Sequence, residues 1–204
     1  MMKTFNPRNL ALGLALASTV GLSSACYAKG PVVSPGATAA PAGTVVSDNV
    51  TEADVLAAQR IWGDALVKIS TDYDTGGFAK AKATAEGALD AAYGYQLGAV
   101  LFKPTLTTAP QTFRITKESA LAYFVGGNKD YPNDTGFALK GWRSWEMKNI
   151  AMQLRGDTAI AMGNLILTDK NGKVTTVDKT WGYARDDQGV LRIVLHHSSL
   201  PVAK

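Results

Sequence analysis

The chain has 204 residues, a formal net charge of +4, one cysteine and two histidines. Its length suits a single folded domain with a sizeable core, and a lone cysteine excludes an intrachain disulfide. The weak positive charge, with no basic run interleaved with aromatic residues, argues against a nucleic-acid partner.

The first 28 residues have the pattern of an export signal. Lys3 and Arg8 precede a short apolar stretch, too short for a comfortable membrane span, and small residues close it at Ala28. We predict a signal peptide over 1–28, export to a bacterial periplasm or secretion, and no transmembrane segment in the mature chain. Lipidation of Cys26 stays open as an alternative, although the upstream leucine is one place too far for a good lipid-attachment motif.

Cleavage after Ala28 would change the composition of the mature chain. The cysteine leaves with the signal, and 19 basic and 17 acidic residues remain. The mature chain then has no thiol nucleophile and no thiolate metal ligand. Residues 29–47 are rich in proline, glycine and alanine, which predicts a flexible tether, and 48–204 are expected to form one domain.

Two helices are predicted at the start of this domain. Thr51 and Asp54 have the spacing of a capping box. Apolar residues then follow on one helical stripe: Val55, Ala58, Trp62, Ala65, Leu66 and Ile69. A break is predicted over 72–77, and a second helix begins at Phe78 and ends before Gly94.

The middle of the chain has a mixed pattern. Short strands are predicted over 97–105 and 111–116, and a short helix over 117–124 ends at the glycine pair that follows it. The polar segment 128–136 is predicted to be a loop.

From residue 141 onward the pattern is that of a strand meander. Four strands separated by glycine-containing turns are predicted over 142–154, 158–168, 174–183 and 190–199. Helices first and an antiparallel meander last indicate an α+β fold rather than alternating βαβ units. A strongly bent sheet wrapped around the helices would form a cone with an apolar pocket.

Both histidines lie at the end of the last predicted strand, in a His-His-Ser-Ser run. Strict alternation puts His197 and Ser199 on the same face as the preceding aliphatic side chains. His196 and Ser198 then lie on the other face. An apolar wall that ends in an imidazole and a hydroxyl predicts a pocket for a small substrate.

The histidine count decides against the common metal sites. A three-histidine zinc site needs three imidazoles, and the mature chain offers two imidazoles and no thiolate. His196 and His197 are consecutive on a strand, face opposite sides and cannot easily chelate one ion. We therefore predict no metal and no cofactor. A serine hydrolase is also disfavoured, because the chain has no Gly-x-Ser-x-Gly elbow.

The terminal run 196–201 resembles the C-terminal signature of the iota-class carbonic anhydrases. Further similar segments are 102–105, 122–127, 133–142 and 176–183, so the resemblance spans about 51–201. It implies a cone-shaped α+β barrel similar to nuclear transport factor 2, paired as a homodimer. It also implies reversible hydration of carbon dioxide to bicarbonate.

The resemblance further implies a site made of Thr105, Tyr123, His197 and Ser199. His197 would act as the general base, and the three hydroxyls would bind the substrate and donate hydrogen bonds to the developing anion. The family signature often carries a third histidine where this chain has Leu195, which favours a metal-free site.

Two other function classes stay open from the residues alone. One is a non-enzymatic ligand-binding or association module on the same fold, because a fold does not by itself choose a function. The other is an isomerase or dehydratase of the polyketide-cyclase type, which needs an inward carboxylate. Asp178 is the candidate for that carboxylate, although Asp178 and Lys179 are both expected to be solvated.

Overall fold

A computed structural model describes residues 49–202; the predicted signal peptide (1–28) and tether (29–47) lie outside the described residues. The elements in chain order are α1 (Glu52–Ala92), β1 (Leu101–Lys103), α2 (Lys117–Val125), β2 (Trp142–Arg155), β3 (Thr158–Asp169), β4 (Val174–Arg185) and β5 (Leu191–Ser199). Single 3₁₀ turns cover Tyr95–Leu97 and Phe137–Leu139. Across 49–202, no helix is both long and apolar enough to cross a membrane.

The first helix begins at the predicted capping box. The Thr51 hydroxyl accepts a hydrogen bond from the backbone N–H of Asp54, and the Asp54 carboxylate accepts one from the backbone N–H of Thr51. The break predicted over 72–77 is a kink inside α1. Gly77 adopts φ 72° and ψ −168° there, a backbone conformation that a residue without Cβ adopts at little cost.

The strands form one curved, unclosed sheet in the order β1-β5-β4-β3-β2. β2 to β5 are the predicted antiparallel meander, and β1 adds a parallel edge strand beside β5. The helices pack on one face of this sheet. Their contact forms the core, in which Trp62, Leu66, Leu89, Leu165 and Trp181 are buried. The predicted α+β class is confirmed.

The strand predicted over 111–116 does not form, so that prediction is wrong. The side chain of Arg114 is buried and makes two hydrogen bonds of 2.8 Å to the carboxylate of Asp134. Its guanidinium also lies 4.5 Å from the ring centroid of Tyr131. One backbone hydrogen bond joins the segment to β1, from the Arg114 N–H to the Phe102 carbonyl at 2.9 Å. The side-chain contacts with a residue 20 positions away hold the rest as an irregular loop.

The last strand contains a β-bulge that the sequence pattern does not predict. Gly182 on β4 pairs with Leu195, whereas the next residue, Tyr183, pairs with Ile193. Val194 is therefore the extra residue on β5. Such an insertion moves every later side chain of the strand to the opposite face.

The bulge reverses the predicted orientation of the terminal run. Ile193, His196 and Ser198 are buried on the inner face of the sheet, His197 is exposed, and Ser199 is half-buried on the outer face. The prediction that His197 and Ser199 point inward, and His196 and Ser198 outward, is wrong. Strict alternation holds only for a strand without an inserted residue.

Candidate active site

The inner face of the sheet ends in a buried polar group surrounded by aromatic rings, here called the inner cluster: Trp62, Tyr93, Lys179, His196 and Ser198. The side chains come from the first half of α1, the residue after α1, β4 and β5. Lys179, His196 and Ser198 are 3%, 1% and 2% exposed. Burial of this many polar groups is costly unless hydrogen bonds satisfy them.

Tyr93 is held against the bulge of β5. It forms an isolated bridge with Ile193, and the next N–H, that of Gly94, donates to the carbonyl of Ile193 at 2.9 Å. The end of α1 is thereby attached to the strand that carries the two histidines. This attachment places the Tyr93 phenol beside the ring of His196.

A chain of hydrogen bonds runs through the inner cluster. The Trp62 Nε1–H donates to the Tyr93 Oη at 2.9 Å, and that oxygen lies 2.8 Å from His196 Nδ1. Lys179 Nζ lies 2.5 Å from His196 Nε2 and 3.3 Å from Ser198 Oγ. Both imidazole nitrogens of His196 therefore have a partner.

The hydrogen-bond chain allows two tautomers of His196. An indole N–H only donates, so Tyr93 accepts from Trp62, and its hydroxyl can either donate to His196 Nδ1 or accept from it. With the proton of His196 on Nε2, the Lys179 nitrogen must accept it and is a neutral amine. With the proton on Nδ1, Nε2 accepts a hydrogen bond from Lys179.

Burial acts in the same direction on both bases. It lowers the pKa of the Lys179 amine well below its ordinary value of 10.5. It also lowers the pKa of His196 well below 6.5, with further lowering from the neighbouring Lys179 and His197. Among the described residues Lys179 has no carboxylate partner in an ion pair, so nothing there offsets the loss of solvation.

Aromatic rings enclose these two bases. The Phe102 ring stacks on His196 with centroids 4.3 Å apart, and the rings of Trp62 and Trp181 lie 5.5 and 5.8 Å from it. Lys179 Nζ lies 4.6 Å from the centroid of the Trp62 ring. Such walls exclude water and strengthen the electrostatic interactions within the cluster.

Tyr123 and Thr105 lie one layer out from this cluster, because Tyr123 contacts the Phe102 ring that stacks on His196, and Thr105 lies beside Tyr123. Tyr123, on α2, packs edge-on against Phe102 at 5.7 Å and stacks on Phe137 at 5.5 Å. Its buried hydroxyl makes no hydrogen bond of good geometry among the described residues. Burial raises the pKa of Tyr123 above 10.0, and the nearby polar groups of Thr105 and the Leu106 backbone lower it in part.

Two cavities adjoin the site. An open pocket of about 410 Å³, here called the mouth pocket, is lined in part by Thr105, Phe137 and Val177. Val177 is the inward residue of β4 immediately before Lys179 on the same face. A second, apolar cavity of about 20 Å³ is lined in part by Trp62 and Tyr93, and is large enough for about one water-sized molecule.

The other two predicted site residues lie on the opposite face of the sheet. His197 and Ser199 line a surface pocket of about 330 Å³ together with Asp178 and Asn164, and the lining of this pocket also includes Lys179 and Ser198. Asn164 donates a hydrogen bond of 2.7 Å to Asp178. Asp178 therefore does not provide the inward carboxylate that the isomerase hypothesis requires. The catalytic roles predicted for Thr105 and Tyr123 stay predictions.

Sequence reasoning missed Lys179, Tyr93 and Trp62 as site residues, and the expectation that Lys179 is solvated is wrong. One signal was present for the lysine, because Val177, Lys179 and Trp181 alternate along β4 and share the buried face. No such pattern exists for Tyr93, whose position depends on its contact with β5. Within residues 49–202, no group of three or more His, Cys, Asp or Glu side chains is placed to hold a metal ion.

Comparison with known proteins agrees over the whole described domain. Residues 53–200 match the family described as "Metal-independent carbonic anhydrase". A protein of that name from Nostoc sp. (strain PCC 7120 / SAG 25.82 / UTEX 2576) is 54% identical over 204 residues, with 98% of each chain covered.

Solved structures give the same result. The crystal structure of the iota-carbonic anhydrase from a cyanobacterium, complexed with bicarbonate, aligns with a TM-score of 0.77 and 59% identity, and covers 78% of this chain and 98% of that one. A protein of the nuclear transport factor 2-like superfamily from Salmonella enterica subsp. enterica serovar Typhimurium str. LT2 aligns at 14% identity with a TM-score of 0.40, over 74% of this chain and 92% of that one. The alignment with the iota-carbonic anhydrase structure supports the predicted α+β fold, and the sheet is open rather than closed into a barrel. The chain belongs to the metal-independent carbonic anhydrase family.

Proposed function

We propose that this chain is a carbonic anhydrase that hydrates carbon dioxide reversibly to bicarbonate and a proton without a metal ion. One observation supports this function above the others: the contact between Lys179 and His196, two buried bases 2.5 Å apart in a pocket walled by aromatic rings. This arrangement occurs in a chain 54% identical to a protein named metal-independent carbonic anhydrase.

The reaction needs a proton acceptor and stabilisation of an anion. Carbon dioxide is small and apolar, so an apolar pocket suits it, but the attacking water has a pKa of about 15.7 in bulk. A metal-free site must therefore remove a proton from water while the C–O bond forms. A positioned base typically contributes about 10²–10⁴-fold to such a step.

Lys179 is the group best placed to take this proton. His197 is exposed on the outer face, and both ring nitrogens of His196 are already hydrogen-bonded. Lys179 lies two positions after Val177 on the same face of β4, and Val177 lines the mouth pocket. His196 shares the proton through its contact with Nζ, and Tyr93 holds the imidazole in place.

The hydroxyl groups of the site suit the developing bicarbonate. Ser198 accepts a hydrogen bond from Lys179, so its own proton is available to an oxygen of the substrate. Tyr123 has a buried hydroxyl that makes no hydrogen bond of good geometry among the described residues. Thr105, at the mouth pocket, can serve as a third donor. Removal of one such donor typically costs about 10²–10³-fold when it stabilises a transition-state anion directly.

The two neighbouring histidines provide the test. Stopped-flow hydration of carbon dioxide is measured on chelator-treated wild type, His196→Gln and His197→Gln. We expect His196→Gln to lower kcat/KM by about 10²-fold or more, because it removes the partner that holds the base. His197→Gln is the matched control, and we expect a change within about twofold.

Two results would contradict the proposal. A folded wild-type protein without hydration activity would remove the enzyme and leave a binding or association module on the same fold. A larger loss in His197→Gln than in His196→Gln would place the base on the outer face.

We further propose that two copies pair through the outer face of the sheet. Ile150, Ile160 and Met162 are 76%, 52% and 55% exposed there, and exposed apolar patches commonly mark association surfaces. Sedimentation of wild type against Met162→Lys tests this pairing: a dimer that weakens in the variant supports it, and a monomeric wild type refutes it.

Export to the periplasm rests on the pattern of residues 1–28. Fractionation of cells that express the full chain tests this localisation. A shortened protein in the periplasmic fraction supports it, and a full-length protein in the cytoplasm contradicts it.

A further inference from the structure

The amine of Lys179 has an unusual set of neighbours for a buried lysine. Its polar contacts are His196 Nε2 at 2.5 Å and Ser198 Oγ at 3.3 Å, and its other neighbours are the rings of Trp62 and Trp181. None of these groups is an acid. Burial and the lack of a carboxylate partner among the described residues favour the neutral form of this amine.

A neutral primary amine in an apolar pocket is a nucleophile, because its lone pair is neither protonated nor solvated. Carbon dioxide is an electrophile at carbon. We propose that Lys179 is a site of reversible carbamylation, at which Nζ adds directly to carbon dioxide.

The step balances within the inner cluster. The lone pair of Nζ forms the N–C bond, and one C=O π pair moves onto oxygen to give a carboxylate. The nitrogen loses one proton to His196 Nε2, 2.5 Å away, and the imidazole becomes an imidazolium. This transfer uses the tautomer in which Nδ1–H donates to Tyr93, whose hydroxyl can both donate and accept. The reverse step returns the proton to nitrogen and releases carbon dioxide.

The adduct would add no net charge to the pocket. Carbon dioxide enters neutral, and the product is a carbamate anion beside an imidazolium cation on His196. Opposite charges in contact at low dielectric attract strongly, which offsets part of their loss of solvation.

Unused hydrogen-bond donors lie around the same amine. Trp181 Nε1 is buried with no partner among the described residues, and the centroid of its ring lies 5.6 Å from Lys179 Nζ. Ser198 Oγ, 3.3 Å from the amine, also has a proton to donate. Buried donors normally have a partner, so this set suits a bound anion in the site.

Carbamylation would also limit the enzyme at high substrate concentration. The adduct removes the lone pair that accepts the proton of water, so hydration would slow as carbon dioxide accumulates. This consequence rests on the proposed function, whereas formation of the adduct requires only carbon dioxide and a neutral amine.

The adduct can be observed directly in the full chain. The protein is equilibrated with ¹³C-bicarbonate and carbon dioxide, and native ¹³C NMR is used to look for a carbamate carbonyl signal separate from bicarbonate. Rapid O-alkylation with triethyloxonium then traps the carbamate for peptide mass spectrometry. We expect a trapped adduct on the peptide that contains Lys179, with occupancy that rises with carbon dioxide.

Two variants accompany the wild type. Lys179→Met should abolish this signal, and Lys148→Met, at an exposed lysine, should leave it unchanged. Trapping and mapping on the wild type need no variant, so they decide the question even where Lys179→Met fails to fold. Label confined to the N-terminus and exposed lysines would overturn the proposal. An adduct at Lys179 without hydration activity would refute the enzyme alone, and activity without the adduct would refute carbamylation alone.

Discussion

Where the end of β5 pairs with the middle of β4, the two faces of the sheet carry similar residue types. The inner face has Lys179, His196 and Ser198, and the outer face has Asp178, His197 and Ser199. Burial separates them: desolvation lowers the pKa of both inner bases, whereas the outer histidine is exposed to water. The comparison teaches that the environment, and not the residue type, makes one histidine–serine pair suitable for proton transfer.

The largest difference between the faces should appear on removal of the inner amine. Lys179→Met keeps an unbranched apolar stem and removes the base, so we expect kcat/KM for hydration to fall by about 10²–10⁴-fold. Lys148→Met, at an exposed lysine on β2, is the matched control and should retain full activity. Equal activity of the two variants would show that the inner face does not supply the base.

The pH dependence of stability should give the second-largest difference between the two faces. The unfolded chain binds a proton at Lys179 up to pH 10.5, whereas the folded chain resists that proton because its pKa is lowered by burial. The unfolded state therefore binds more protons, and the free energy of unfolding rises with pH through the window from the lowered pKa up to 10.5.

The slope of this rise is at most about 1.4 kcal/mol per pH unit for one group. Urea unfolding of wild type and Lys179→Met across this window measures it, and the difference between the two curves isolates the lysine. Parallel curves would mean that the amine stays charged in the folded state.

The two serines should give a smaller contrast. Ser198→Ala removes one donor to the anion but leaves Tyr123 and Thr105, so we expect kcat/KM to fall about 10-fold, less than for loss of a sole donor. Ser199→Ala should change it less than twofold, as is usual for a surface substitution, about 0.5 kcal/mol or less. A reversed order in the hydration assay would contradict the orientation that the bulge imposes.

Removal of metal should have the smallest effect. We expect the hydration rate to be unchanged after exhaustive dialysis against a chelator, because the proposed base and donors are side chains. Metal content measured on the same sample is the control. Loss of activity that returns with an added divalent ion would refute the metal-free mechanism.

Much of the fold followed from local patterns. The capping box at Thr51, the helix that begins near residue 117 and the four-strand meander depend on neighbouring residues, and all are present. The strand predicted over 111–116 failed because Arg114 forms its buried ion pair with Asp134, a partner distant in sequence. The candidate site was located in the correct run of four residues but on the wrong face.

By itself the sequence determined the element types, the α+β class, the family and the strand end at which the site lies, because these depend on local spacing and on motifs. The tertiary structure alone decided which histidine faces inward. That choice depends on Val194 as an extra residue opposite β4, where Gly182 lets Leu195 approach so closely that an added Cβ would lie 3.0 Å from the Leu195 Cβ. It also decided that Lys179 is a base with a lowered pKa, because only burial among the rings of other elements removes the water that favours its charged form.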